Sequence, residues 1–230
     1  MSTPAVRILR HVGTKQQALE RFLREEIARG RIKPGTRLKQ QDLARKFGMS
    51  PTPVRETLRR LEGDGLVLYA PNRGIRVAQV DYPEVEEVYL MRMALESLAV
   101  RCAAGRLTAE DLSALSHLQE RMDRATAQGR LKTLRNLNYD FHMAIYSRAG
   151  YHRLLQIIRA LWGLFPWDTL QVIPGRAKTS MREHHAILRG LRNGDGPAAA
   201  DRMRAHVARS FADLRTYLTA ARQNGRENLR

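Results

Sequence analysis

A single cysteine, Cys102, occurs among the 230 residues, so no disulfide can form within the chain. That excludes the stapled scaffolds of small secreted proteins. The N-terminal residues lack the apolar core of a secretory signal, and no apolar run is long enough to span a bilayer. A basic amphipathic helix with an aromatic face is also missing, which argues against a membrane-surface role. There is no internal repeat and no low-complexity tract. These absences predict a cytoplasmic globular protein of one or two domains. Acidic residues are scarce as well, with 23 Asp+Glu against 40 Lys+Arg and a formal net charge of +17. A chain this basic expects a polyanionic partner. Residues 1–80 hold 17 basic and 7 acidic side chains, whereas residues 81–230 hold 23 and 16. The polyanion-binding surface is therefore expected near the N-terminus.

Residues 1–13 show no period and are expected as a flexible arm. Leu19, Phe22, Leu23 and Ile27 predict a helix over about 14–30, ended by Gly30. Pro34-Gly35 reads as a turn. A short helix follows over about 40–47, with Leu43, Ala44 and Phe47 inward, and Gly48 breaks it. The next helix opens at Ser50, whose hydroxyl is expected to cap it, with Pro51 in its first turn. Val54, Leu58 and Leu61 form its apolar stripe. Thr52, Arg55 and Arg59 form another face, suited to a DNA major groove, and Ser50 is expected to contact DNA beside them. Helix, short break and helix make a helix-turn-helix. Leu66–Tyr69 and Ile75–Ala78 read as two strands, and Pro71-Asn72-Arg73-Gly74 as the tip of a hairpin wing that offers Arg73 to DNA. Arg37 and Lys39 are expected on phosphate. From Asp81 the pattern is helical throughout. It predicts six helices, over about 81–104, 108–128, 131–148, 152–162, 178–191 and 196–221, packed as an antiparallel bundle. The fold class expected is mainly α: a winged helix-turn-helix over 1–78 and a helical domain over 79–230. The Val77–Pro83 segment is the expected hinge.

Three of the seven histidines, His142, His184 and His206, fall on core-facing stripes. His184 lies nine residues before Asn193 and His206 ten after Gly196. Both are then about 14–15 Å from the same turn, so an antiparallel hairpin brings them level. Asn138 and His142 share a helix face at i and i+4. Three neutral imidazoles and an oxygen suit a divalent first-row metal, with zinc the first candidate and nickel or manganese the others. Arg92 and Glu96, also i and i+4, offer a binding group for an acid and a carboxylate to orient it. A metal-dependent hydrolase is an alternative, but it needs a general base by the metal, and only Glu96 comes near the cluster's face. A metal-free pocket whose histidines hold an organic acid directly is another. A non-specific architectural DNA binder has no use for a polar pocket.

The segment Pro34-Gly35-Thr36-Arg37-Leu38, Leu43-Ala44, Ser50–Glu56, Leu61-Glu62, Gly65-Leu66 and Arg73-Gly74 resembles the winged-helix domain of GntR-family transcription regulators. Arg92–Glu96, Phe141-His142, Glu183–Leu188, Gly194-Asp195 and Ala205-His206 resemble the ligand-binding domain of that family's FadR-like branch. The resemblance implies a homodimeric regulator, here expected to be a repressor, bound to a palindromic operator. It also implies a small carboxylate effector held through a metal at Asn138, His142, His184 and His206. Two departures stand out. Pro51 replaces an arginine common in the family, so Thr52, Arg55 and Arg59 must carry more of the DNA contact. Asn138 replaces a common Asp, and a neutral amide binds a dication less tightly.

Overall fold

The computed structural model describes residues 14–70, 74–78, 82–164 and 169–227. The expected arm over 1–13, the hairpin tip with Arg73 and the middle of the expected hinge lie outside the described residues. The described chain is mostly helical, with one small sheet. The packing divides it into two units. The first holds the residues before 82 together with the segment beginning at Arg159, and the second holds the remainder.

In the first unit, α1 (Lys15–Ala28) begins at Thr14, whose side chain accepts from the N–H of Gln17 while the Gln17 side chain returns to the Thr14 N–H. That reciprocal cap satisfies two backbone donors the helix cannot. The short strand β1 (Arg37–Leu38) precedes α2 (Gln40–Phe47) and α3 (Pro51–Gly63). Strands β2 (Val67–Ala70) and β3 (Gly74–Val77) complete an antiparallel sheet of order β1-β3-β2. The third strand, β1, was not expected. Leu19, Leu23 and Ile27 of α1 meet Val54, Leu58 and Leu61 of α3, all at 1% exposure or less. The α3 stripe read from sequence is thus the face that holds the helix to its domain. Ser50 occupies the N-cap position, but its side chain makes no capping hydrogen bond. Its backbone is already extended there, and Pro51 opens the helix without an N–H to satisfy.

Gly48 makes the turn between α2 and α3. Its φ of +59° lies in the left-handed region, and the Met49 N–H reaches back to the Ala44 carbonyl at 3.0 Å. A Cβ added at Gly48 would meet nothing closer than the Lys15 Nζ at 3.6 Å, so space is not the constraint. We expect Gly48→Ala to destabilise this unit by about 1–2 kcal/mol through backbone strain alone. Gly48→Asn should cost less, because asparagine tolerates this conformation. Denaturant melts of the two variants would check the order, and an alanine variant as stable as the asparagine one would refute it.

The second unit contains α4 (Tyr82–Ala104), α5 (Ala109–Ala127), α6 (Leu131–Ser147), the start of α7 (His152–Leu164), the single turn α8 (Thr169–Val172), α9 (Arg176–Arg192) and α10 (Gly196–Glu227). The six long helices correspond to the six expected, and α8 is an addition. Thr108 caps α5 with a reciprocal partner in Asp111. Asp195 accepts from the Ala198 N–H at 2.9 Å and starts α10. Helices α9 and α10 approach closely where Gly190 meets Ala199: a Cβ at Gly190 would lie 3.0 Å from that of Ala199. Among the described residues, no helix is long and apolar enough to cross a membrane.

Candidate functional site

The face of α3 opposite its core stripe is open. Ser50, Thr52, Arg55 and Arg59 are exposed, as are Arg37 on β1 and Lys39 just before α2. Several other arginines of the unit are paired. Arg24 engages Glu20 and Asp64, Arg31 engages Glu26, and Arg60 lies 3.7 Å from Glu20. By contrast, no ion pair is found for Arg55 or Arg59 among the described residues, so their guanidinium groups remain available to a partner. Arg37 lies across the wing: a Cβ on Gly74 would come within 3.4 Å of its Nε. The positive φ of +76° favours glycine at that position, whereas the contact with the flexible Arg37 side chain is an ordinary one. Six of the seven expected DNA-contacting residues thus sit on the exposed surface of one unit, and the seventh, Arg73, lies outside the described residues.

The second site is a histidine cluster in the bundle core. His142 comes from α6, His184 from α9 and His206 from α10, at 1%, 0% and 7% exposure. The ring centroids of His184 and His206 are 4.7 Å apart, and each lies 5.0–5.3 Å from that of His142. One ring nitrogen from each can be chosen so that all three lie within 4.8 Å of one another. The Nε2 atoms of His142 and His184 are 3.2 Å apart. Two nitrogens about 2.1 Å from one ion subtend about 3.0–3.4 Å, so this pair has the spacing of shared ligation. Asn138 stands one turn before His142, and its Oδ1 is buried with no hydrogen-bond partner. A buried carbonyl oxygen in that state favours a cation nearby.

The surroundings set the ring protons. Glu96 is fully buried, and its two oxygens are taken by the Arg92 Nε at 2.7 Å and the Tyr146 hydroxyl at 2.5 Å. Tyr146 therefore donates to Glu96 and accepts from His142 Nδ1 at 2.9 Å. His206 Nδ1 lies 2.7 Å from Glu183 Oε2, which the buried Arg176 also holds at 2.9 Å. With both Nδ1 atoms donating, neutral His142 and His206 carry no proton on Nε2. Carboxylate-anchored imidazoles of this kind are the usual outer shell of a metal ligand. Burial, then the charges of His206 and the two arginines, holds His142 well below the ordinary imidazole value. Burial and the neighbouring histidines do the same for His184. His206 is lowered mainly by burial, although Glu183 opposes it. Neutral rings are what a metal needs. Burial alone would raise the Glu183 carboxyl, but His206 and Arg176 outweigh it and hold it below the usual range. Burial and the Glu96 charge push the Tyr146 hydroxyl well up, so it stays a donor.

Arg92 and Glu96 are paired as expected, and they reach the histidines through Tyr146. Sequence reasoning missed Tyr146, Glu183 and Arg176. Tyr146 sits at i+4 from His142, a signal that was readable.

A winged helix with an open basic recognition face, carried on the same chain as a polar-cored helical bundle, defines a DNA-binding transcription regulator with a ligand-binding domain. Residues 15–77 match the family described as bacterial regulatory proteins, gntR family, and residues 87–209 match the FCD domain. The chain belongs to the GntR family, in its FCD-containing, FadR-like branch. It is 32% identical to the HTH-type transcriptional regulator McbR of Escherichia coli strain K12, over 84% of this chain and 88% of McbR. It is 27% identical to the HTH-type transcriptional repressor GlaR of the same strain, over 81% of this chain and 90% of GlaR. The solved structure of E. coli McbR/YncC superposes with a TM-score of 0.79 at 28% identity, covering 90% of this chain and all of that one. These kinships place the chain among regulators and not among metallohydrolases.

Proposed function

We propose that the protein is a homodimeric repressor working in the cytoplasm. Residues 1–78 bind a roughly palindromic operator, and residues 79–230 hold a small carboxylate through a divalent metal. The observation that carries the metal is the convergence of three buried, neutral imidazoles, with a buried, unpartnered Asn138 oxygen one turn before His142 on the same helix. Two of those rings are fixed through Nδ1 by carboxylate-linked partners. His142, His184, His206 and Asn138 hold the ion, zinc before nickel or manganese. When bound, it supplies open coordination positions to a carboxylate oxygen. Arg92, kept charged by Glu96, adds a second anchor for an acid group. The repressor reading is supported by the likeness to GlaR, a transcriptional repressor by name. An effector alters DNA binding only by favouring one dimer geometry over the other.

The metal-free pocket remains as a second reading, because 3.2 Å between two imidazole nitrogens is also a hydrogen-bond distance. The test is a panel of mono- and dicarboxylic acids added to the protein–DNA complex, before and after chelation, with fluorescence anisotropy as readout. We expect at least one acid to change DNA affinity by about 5–150-fold, and to lose that effect on chelation. An equal response in metal-stripped protein would favour the metal-free pocket.

A further inference from the structure

A groove of about 470 Å³ runs between α3 and the wing. Arg55, Leu58, Arg59 and Glu62 line one wall, at successive turns of one α3 face. Tyr69 of β2 and Ile75 of β3 line the other. They are direct cross-strand partners, so their side chains project from the same side of the sheet. On that side Val67, Ile75 and Val77 are all buried, yet Tyr69 is 63% exposed. An aromatic ring on the core-facing side of a strand is ordinarily covered. Here it forms an outer wall with two guanidinium groups on the wall opposite. Glu62 accepts from the Tyr69 N–H at 3.1 Å, which fixes the wing strand to the end of α3.

We propose that this groove seats one sugar–phosphate unit of the DNA strand bordering the major groove that α3 enters, and that Tyr69 is a positioning residue for it. The inference rests on the DNA-binding function and not on the proposed metal or effector. The match is chemical. The phosphate meets Arg55 and Arg59 and the Gln40 amide at the first residue of α2, which also lines the groove. The Tyr69 hydroxyl donates to a phosphate oxygen, and its exposed ring covers the deoxyribose. Glu62, at the C-terminal end of α3, keeps an anion away from that end of the groove and so gives the backbone one register. Contacts of this kind orient a protein on the duplex without reading its sequence.

The test uses the full chain and a fluorescein-labelled duplex enriched from a random pool by the unaltered protein, beside a scrambled duplex of equal length. Tyr69→Ala should bind both duplexes about tenfold more weakly, and Tyr69→Phe should show most of that loss, since the hydroxyl makes the charge-assisted bond. The ratio between duplexes should hold, and so should the salt dependence, because no charge is removed. Thermal melts of both variants should match the unaltered protein. Phosphate-ethylation interference should weaken at one position per half-site with Tyr69→Phe, a change that a purely structural tyrosine would not produce. Undiminished binding by Tyr69→Ala, or an unchanged interference pattern, would overturn the proposal. Failure of the unaltered protein to enrich any duplex would instead sink DNA recognition itself.

Discussion

His184→Ala, purified in the same way as the unaltered protein, is expected to carry less than about a tenth of an equivalent of metal per chain, against about one in the original. His184 is fully buried and places its Nε2 3.2 Å from that of His142. Its removal leaves two imidazoles and an amide oxygen, too few donors for a tight site. His185→Ala is the matched control. That neighbour is exposed and pairs with Asp123 at 2.9 Å, so the variant should retain its metal. Tyr146→Phe should fall between them. It keeps every ligand but removes the hydroxyl that links His142 to Glu96, a change that typically costs 10–100-fold in metal affinity. Elemental analysis separates the three. A metal-free unaltered protein, after growth in supplemented medium, would end the metal assignment.

The second large effect concerns the recognition helix. We expect Arg55→Ala with Arg59→Ala to weaken operator binding by about 10²–10⁴-fold, each arginine contributing about 1–3 kcal/mol. Both side chains are exposed and outside the ion-pair network that holds Arg24 and Arg60. Neither change opens the Val54, Leu58 and Leu61 core, so the fold should survive. The slope of log affinity against log salt should shrink by about one for each phosphate that an arginine no longer neutralises. Metal content should be unaffected. Pro51 sharpens the expectation: the family resemblance implies a further arginine at that position, and proline offers no cationic group to compensate. Operator binding by the double variant at full strength would show that another surface reads the DNA.

The recognition helix was legible in the sequence because a proline start, a three-residue apolar stripe and a glycine break are all local. Strand β1 was not, since two residues carry no period and only pairing with β3 makes them a strand. The histidines were legible because counting residues from a turn fixes their height. Their partners were not. Glu183 is adjacent to His184 in sequence yet bonds His206, because neighbouring positions on a helix point about 100° apart. Arg176 falls before the helix expected to begin at Lys178. It opens α9 instead, and its guanidinium is buried among Glu183, Asp213 and His206.

The three histidines arrive from three helices, and the last of them is residue 206. On the ribosome this spacing becomes a delay. Arg59 leaves the tunnel 147 residues before His206, which is roughly 7–30 s of synthesis at 5–20 residues per second. Through that interval the nascent chain already has Arg55 and Arg59 and does not yet have a complete histidine cluster. Any product cut short in the same stretch inherits the imbalance permanently: it keeps both arginines of the open α3 face and lacks the third histidine of the buried cluster.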